Sequence, residues 1–152
     1  MEDNDLKIFE ETLKDYLHNP IVEQMKNYKA HGKKDVYTHC IDVAKMAYQL
    51  NDKFSLNADL NTLLIGALLH DFYLYDWHDA PINTKLFEMH GYTHAKIAKE
   101  NAVKYFDIDE DVQKVIECHM WPLTLRSFPN SKEAFIVSVA DKICALKETF
   151  KR

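Results

Sequence analysis

Hydrophobic residues along the chain recur every three or four positions in nearly every stretch, the spacing of one face of an α-helix. Leu6, Phe9, Leu13, Tyr16 and Leu17 place an amphipathic helix within the first twenty residues. Pro20 opens a short second helix, Ile21 to Tyr28, which stops at the polar break KAHGKKD. Asp35 can cap a third that runs to about Leu50 on a stripe of Val36, Val43, Ala44, Ala47 and Leu50. A fourth, Leu60 to Asp71, is apolar almost throughout and ends in His70-Asp71. Residues 72–91 read as a loop rich in aromatic and polar groups, broken by Pro81 and Gly91. Thr93 can cap a helix carrying Ile97, Ala98, Ala102 and Val103 to about Phe106. DIDED opens the next, with Val112, Val115 and Ile116 on one face, and Ser131 begins the last. No segment alternates with the two-residue period of a strand. The pattern predicts an all-α, single-domain helical bundle spanning residues 1–152, with about six or seven helices.

Composition narrows this further. Three Gly and four Pro are too few turn-formers for a many-stranded sheet protein. A net charge of −5 argues against an extended nucleic-acid surface, since such surfaces are built from clustered Lys and Arg. No apolar run reaches the roughly 18–20 residues that span a bilayer, so no membrane role is expected. The acidic, amphipathic start MEDNDLKIFEETLKDY is unlike a secretory signal. Cys40, Cys118 and Cys144 are scattered and odd in number, which suits reduced thiols in a cytoplasmic protein.

The chemistry lies in where the histidines fall. His39 is three residues after Val36 and four before Val43, on the buried stripe of its helix. His119 continues the stripe of Val115 and Ile116, and His94 lies in the first turn above Ile97 and Ala98. His70 and Asp71 end the most apolar helix, and Asp141 interrupts FIVSVADKICAL on its inward face. Five separate helices thus bring imidazole or carboxylate toward the interior. Each could be satisfied alone by a backbone carbonyl, but one cation can satisfy them together, neutralising carboxylates and accepting imidazole lone pairs. His18 and His31 lie in polar surroundings and read as surface residues.

The order His39, His70-Asp71, His94, His119, Asp141 resembles the H…HD…H…H…D pattern of the HD-domain superfamily. That superfamily is all-α and consists largely of metal-dependent phosphohydrolases. The resemblance covers roughly Asp35 to Glu148, so the expected core is 35–148 with N-terminal helices 4–30 packed on it. It implies that His39, His70, Asp71 and Asp141 hold one metal. It further implies that Asp71, the catalytic centrepiece, bridges to a second metal held by His94 and His119. His90, four residues before His94, is the alternative to His94 as that first extra ligand, and is otherwise a substrate contact or a surface residue. The pair His78-Asp79 has no apolar helix behind it and falls outside the pattern. A ligand set of N and O without thiolate suits two divalent transition metal ions such as Fe, Mn, Zn, Co or Ni.

What the resemblance implies is hydrolysis of a phosphate ester or anhydride of a small phosphorylated or nucleotide substrate. Tyr73, Trp77 and His78, in FYLYDWHD, and Trp121 and Arg126, in HMWPLTLRSFP, are candidate substrate contacts, with Lys142 beside Asp141. Aromatic faces can stack a base for about 1–3 kcal/mol, or the same rings can close the core. One departure stands out. Many HD phosphohydrolases continue the dipeptide as HD-x-G-K, whereas this chain reads His70-Asp71-Phe72-Tyr73-Leu74. The same ligand order would also serve a di-iron oxygenase of HD type, or a non-catalytic nucleotide-sensing module. The acidic N-terminal helix can cap the bundle or support a homodimer.

Overall fold

A computed structural model describes residues 1–76 and 90–150, with side chains resuming at residue 93. Its helices are α1 Asp3–Leu17, α2 Pro20–Glu23 with a 3₁₀ turn Gln24–Asn27 after it, α3 Val36–Lys53, α4 Leu60–Leu69, α5 His90–Tyr105, α6 Glu110–Cys118 and α7 Lys132–Phe150. The only extended pairing among the described residues is a single bridge between Lys29 and Asp35. The fold is all-α, as the periodicity predicts.

Aspartates set three of the helix starts. Asp35, Asp59 and Asp109 accept hydrogen bonds from the backbone N–H groups of Thr38, Thr62 and Val112, at 2.8, 2.8 and 2.9 Å. Each such cap contributes about 1 kcal/mol. α4 is the central element, packed against α3, α6, α7 and α1. Its apolar residues leave no polar face to present to water: Leu63, Leu64, Ala67, Leu68 and Leu69 are all fully buried. Gly66 permits the approach to α6, because a Cβ there would stand 2.5 Å from Val115 Cγ1. α1 lays Phe9 and Leu13 onto the core. The Tyr37 hydroxyl donates to the Leu17 carbonyl at 2.7 Å, tying the end of α1 to α3.

Two boundaries differ from the pattern's prediction. α4 ends at Leu69 rather than Asp71, with His70 as its C-cap. α5 begins at His90, so Thr93 lies inside the helix instead of capping it. Thr93 is a good capping residue type, but a cap is decided by which backbone N–H groups lack partners, and at residue 93 the helix is already under way. All three cysteines are free and buried. Burial, with Glu148 and Asp42 nearby, pushes the Cys144 thiol up to about 11. No helix among the described residues is long and apolar enough to cross a membrane.

Candidate metal centre

The six ordered residues meet at one point inside the bundle. His39 comes from α3, His70-Asp71 from the turn after α4, His94 from α5, His119 from the end of α6 and Asp141 from α7. None is more than 6% exposed, so bulk water cannot satisfy them.

His70 and His119 are placed by the same local device. Each is the C-cap of its helix, αR in backbone, with ring Nδ1 2.7 Å from the carbonyl three residues back, Ala67 or Ile116. Those last-turn carbonyls lack helical partners, so Nδ1–H donates to them. The proton is thereby fixed on Nδ1 and the Nε2 lone pair faces the centre. His39 achieves the same with a carboxylate: its Nδ1–H donates to Glu148 Oε2 at 2.9 Å. A backbone anchor completes the His119 end, where the Ser138 hydroxyl lies 3.0 Å from the His119 carbonyl and 2.9 Å from that of Trp121.

Asp71 stands between two groups of nitrogens. Its Oδ2 faces His70 Nε2 at 3.6 Å and His39 Nε2 at 3.9 Å. Its Oδ1 faces His94 Nε2 at 3.2 Å and His119 Nε2 at 3.5 Å. Asp141 Oδ1 closes the first group, 3.2 Å from His39 Nε2 and 3.6 Å from His70 Nε2. In the second group the Nε2 atoms of His94 and His119 are 2.9 Å apart.

This geometry fits a cation. His70 Nε2 and Asp71 Oδ1 are buried without a hydrogen-bond partner, although both lie within 4 Å of opposite groups. The carboxylate oxygens nearest His70 Nε2 stand 3.6 Å away, beyond hydrogen-bond reach. An unpaired buried polar atom costs about 1–3 kcal/mol. A positive ion placed among these donors turns each repulsive contact into a ligand bond, whereas without one, protons must do the work. Burial opposes charge on His39, but hydrogen bonds with Asp141 and Glu148 outweigh it and lift the ring to about 10. His70 is likewise raised, by Asp71 and Asp141 against burial. His119 goes the other way: burial takes it down to about 4 and leaves it neutral. Burial would push both carboxyls up, yet the surrounding imidazoles hold Asp71 and Asp141 well below the usual carboxylate range.

The remaining sequence candidates distribute unevenly. Lys142 is at the centre, its Nζ donating to the His119 carbonyl and lying 3.1 Å from Asp141 Oδ2. Tyr73 belongs to the core at 1% exposure, its ring 5.9 Å from that of His94 and 5.3 Å from that of Tyr75. Trp121 is half-buried and packs edge-on against Phe128 at 5.4 Å, and Arg126 is exposed. Trp77, His78 and the side chain of His90 lie outside the described residues.

Two residues escaped sequence reasoning. His31 is not a surface residue. It is half-buried, its ring centroid 5.1 Å from that of His39, and a ring nitrogen lies within 4.8 Å of ligand atoms of His39 and Asp141. The polar run around it reads as solvent-facing, but Gly32, at φ +62°, turns the chain back onto α7. Glu148 is buried and holds both His39 and Lys34, at 2.9 and 3.2 Å. Its place one helical face below Asp141 and Cys144 was the available signal.

An all-α bundle that gathers four imidazoles and two carboxylates from five elements defines a divalent-metal-binding helical protein. The particular family follows: the model of the HD domain matches residues 36–146, and the chain belongs to that family. All six clustered residues lie within the match, whereas His31 and Glu148 fall outside it. HD domains form a superfamily of metal-dependent phosphohydrolases, of which some members are non-catalytic. No curated protein and no solved structure matches the chain.

Proposed function

We propose that this protein is a metal-dependent phosphohydrolase that binds two divalent transition metal ions and hydrolyses an ester or anhydride bond of a small phosphorylated metabolite, nucleotides included. The observation that carries the reading is the division of Asp71, whose two oxygens face two different sets of imidazole nitrogens. His39, His70, Asp71 and Asp141 would hold one ion; Asp71, His94 and His119 the other. The donor set of N and O without thiolate suits Fe, Mn, Zn, Co or Ni. Bound there, such ions supply a water acidic enough to attack at neutral pH and neutralise charge on the phosphoryl oxygens.

The chain's own residues do the rest. The Nδ1–H bonds of His39, His70 and His119 hold the rings in place before substrate arrives, so little reorganisation is left for the reaction. Lys142 supplies the cation that the sequence lacks after its HD pair. Two of its three N–H donors go to the His119 carbonyl and Asp141, leaving the third for a phosphoryl oxygen.

The test begins with protein purified without an affinity tag and without chelator, assayed for metal by inductively coupled plasma mass spectrometry beside Asp71→Ala. Hydrolysis of a panel of phosphomonoesters, phosphodiesters and phosphoanhydrides is then followed by product analysis. Two equivalents of metal, lost in the variant together with hydrolysis, are expected. One equivalent would make His94 and His119 substrate residues. No metal after reconstitution with Mn, Fe, Ni and Zn, or turnover that consumes oxygen instead of hydrolysing a phosphate ester or anhydride, would overturn the reading.

A further inference from the structure

Beside the metal centre lies a cavity of about 400 Å³ lined by His31, Lys33, Lys34, Lys45, Lys147 and Glu148, among others, within the ~300–1,000 Å³ of small-molecule sites. The chain carries a net charge of −5, yet four lysines line this one cavity. Lys34 is already held by Asp42 and Glu148. Lys33, Lys45 and Lys147 make no ion pair or hydrogen bond among the described residues. The acidic groups of the cavity are committed, Asp42 to Lys34 and Glu148 to Lys34 and His39. What remains is a surplus of positive charge.

His31 is common to the cavity and the centre: it lines the one and has a ring nitrogen within 4.8 Å of ligand atoms of His39 and Asp141 in the other. The loop that carries His31 is set in place. The Ala30 N–H donates to the Lys34 carbonyl at 3.0 Å, and the Lys34 N–H returns to the His31 carbonyl at 3.2 Å. Gly32 sits so close to α7 that a Cβ would meet the Glu148 carbonyl oxygen at 2.8 Å.

We propose that this lysine-lined cavity is a subsite for the phosphoryl chain of the substrate, beyond the group at the metals, so that the preferred ligands carry two or more linked phosphoryl groups. It rests on the phosphohydrolase reading for the group at the metals, but not for anion binding in the cavity. Compact, rotatable ammonium groups suit phosphate as point charges. Five of the residues that line it, His31, Lys33, Lys34, Lys147 and Glu148, lie outside the 36–146 family match.

The test uses metal-loaded full-length protein, wild type and Lys45→Gln/Lys147→Gln, titrated calorimetrically with three probes. Orthophosphate is the single-phosphoryl probe. Methylene-bridged analogues of a nucleoside triphosphate and of inorganic tripolyphosphate are the chain probes, and comparing them shows whether the base adds to binding. The wild type is expected to bind both analogues at least tenfold tighter than orthophosphate. The double variant should lose that advantage while keeping its metal content and melting temperature. Equal binding of orthophosphate and the analogues by the wild type, or an unchanged advantage in the variant, overturns the subsite. If the lysines carry analogue binding but no phosphate compound is hydrolysed, the subsite stands and the phosphohydrolase reading falls. If esters are hydrolysed but the advantage survives in the variant, the reverse holds.

Discussion

The Nδ1–H of His39 is held by a carboxylate, Glu148, whereas those of His70 and His119 are held by backbone carbonyls. That difference makes one ligand dependent on a side chain that can be changed. Glu148→Gln keeps the size of the group but removes its charge, and with it one of the two carboxylate partners of Lys34 and part of the basicity of His39. Outer partners of this kind typically contribute 10–100-fold in metal affinity. The variant is therefore expected to bind divalent metal at least tenfold more weakly in a competition titration with a fluorescent chelator. Unchanged affinity would show that Glu148 only packs. Protons make a second prediction at the same scale. His39, raised to about 10, holds a proton at neutral pH when no metal is present, as does His70, also raised. A metal must expel those protons, so lowering the pH favours the metal-free form. Affinity should fall about tenfold per pH unit for each proton released. His119, lowered to about 4, releases none near neutrality. Calorimetry at pH 7 in buffers of different ionisation enthalpy should count at least one proton released on metal binding, and a count of zero would contradict the arrangement. The clustering of the six residues was legible in the sequence because they fall on apolar faces, where an imidazole or carboxylate is conspicuous. His31 was not, because nothing in KAHGKKD announces that a left-handed glycine folds it inward.

At the scale of elements, the helices were legible from period and caps, and their ends were less so. Asp35, Asp59 and Asp109 mark starts through a bond that lies within the first turn, so local sequence suffices. The end of α4 at Leu69 depends instead on His70 drawing its Nδ1–H to Ala67 and aiming Nε2 at the centre. Tertiary chemistry decides that, and periodicity cannot register it. Close approach of helices is equally invisible in one chain of letters. Gly66 reads as a flaw in an apolar helix, yet a Cβ there would meet Val115 at both Cγ1 and Cβ, 2.5 and 2.8 Å away. Val115 is β-branched and fully buried, so it cannot swing aside. Gly66→Ala gains about 1 kcal/mol of helix propensity but overpacks the α4–α6 contact at about 1–3 kcal/mol. Net destabilisation in urea unfolding is the expected result. A more stable variant would mean that the two helices separate without strain, and with them His70 and His119.

Across the whole molecule, the metal centre joins parts of the chain that lie far apart, His39 and Asp141 being 102 residues distant in sequence. Metal bound among residues from these five elements would require the folded state, so its binding free energy would add to stability. At a thousandfold excess of metal over its dissociation constant the gain is about 4 kcal/mol. For a chain of this size each kcal/mol moves the melting temperature by about 2–4 °C, so removal with a chelator should lower it by about 8–16 °C. Asp71→Asn separates this from a general effect of chelator. The substitution preserves shape but removes the charge shared by both sets of imidazoles, so the variant should melt low and be insensitive to chelation. Protons on His39 and His70 offer the metal-free protein a partial substitute, since they too can neutralise Asp71 and Asp141. That substitute is complete at low pH and fades as pH rises through the raised histidine values. The stabilisation due to metal should therefore be larger at pH 8.5 than at pH 6, by differential scanning calorimetry with and without chelator. A difference independent of pH would mean that protons and metal do not compete for one centre.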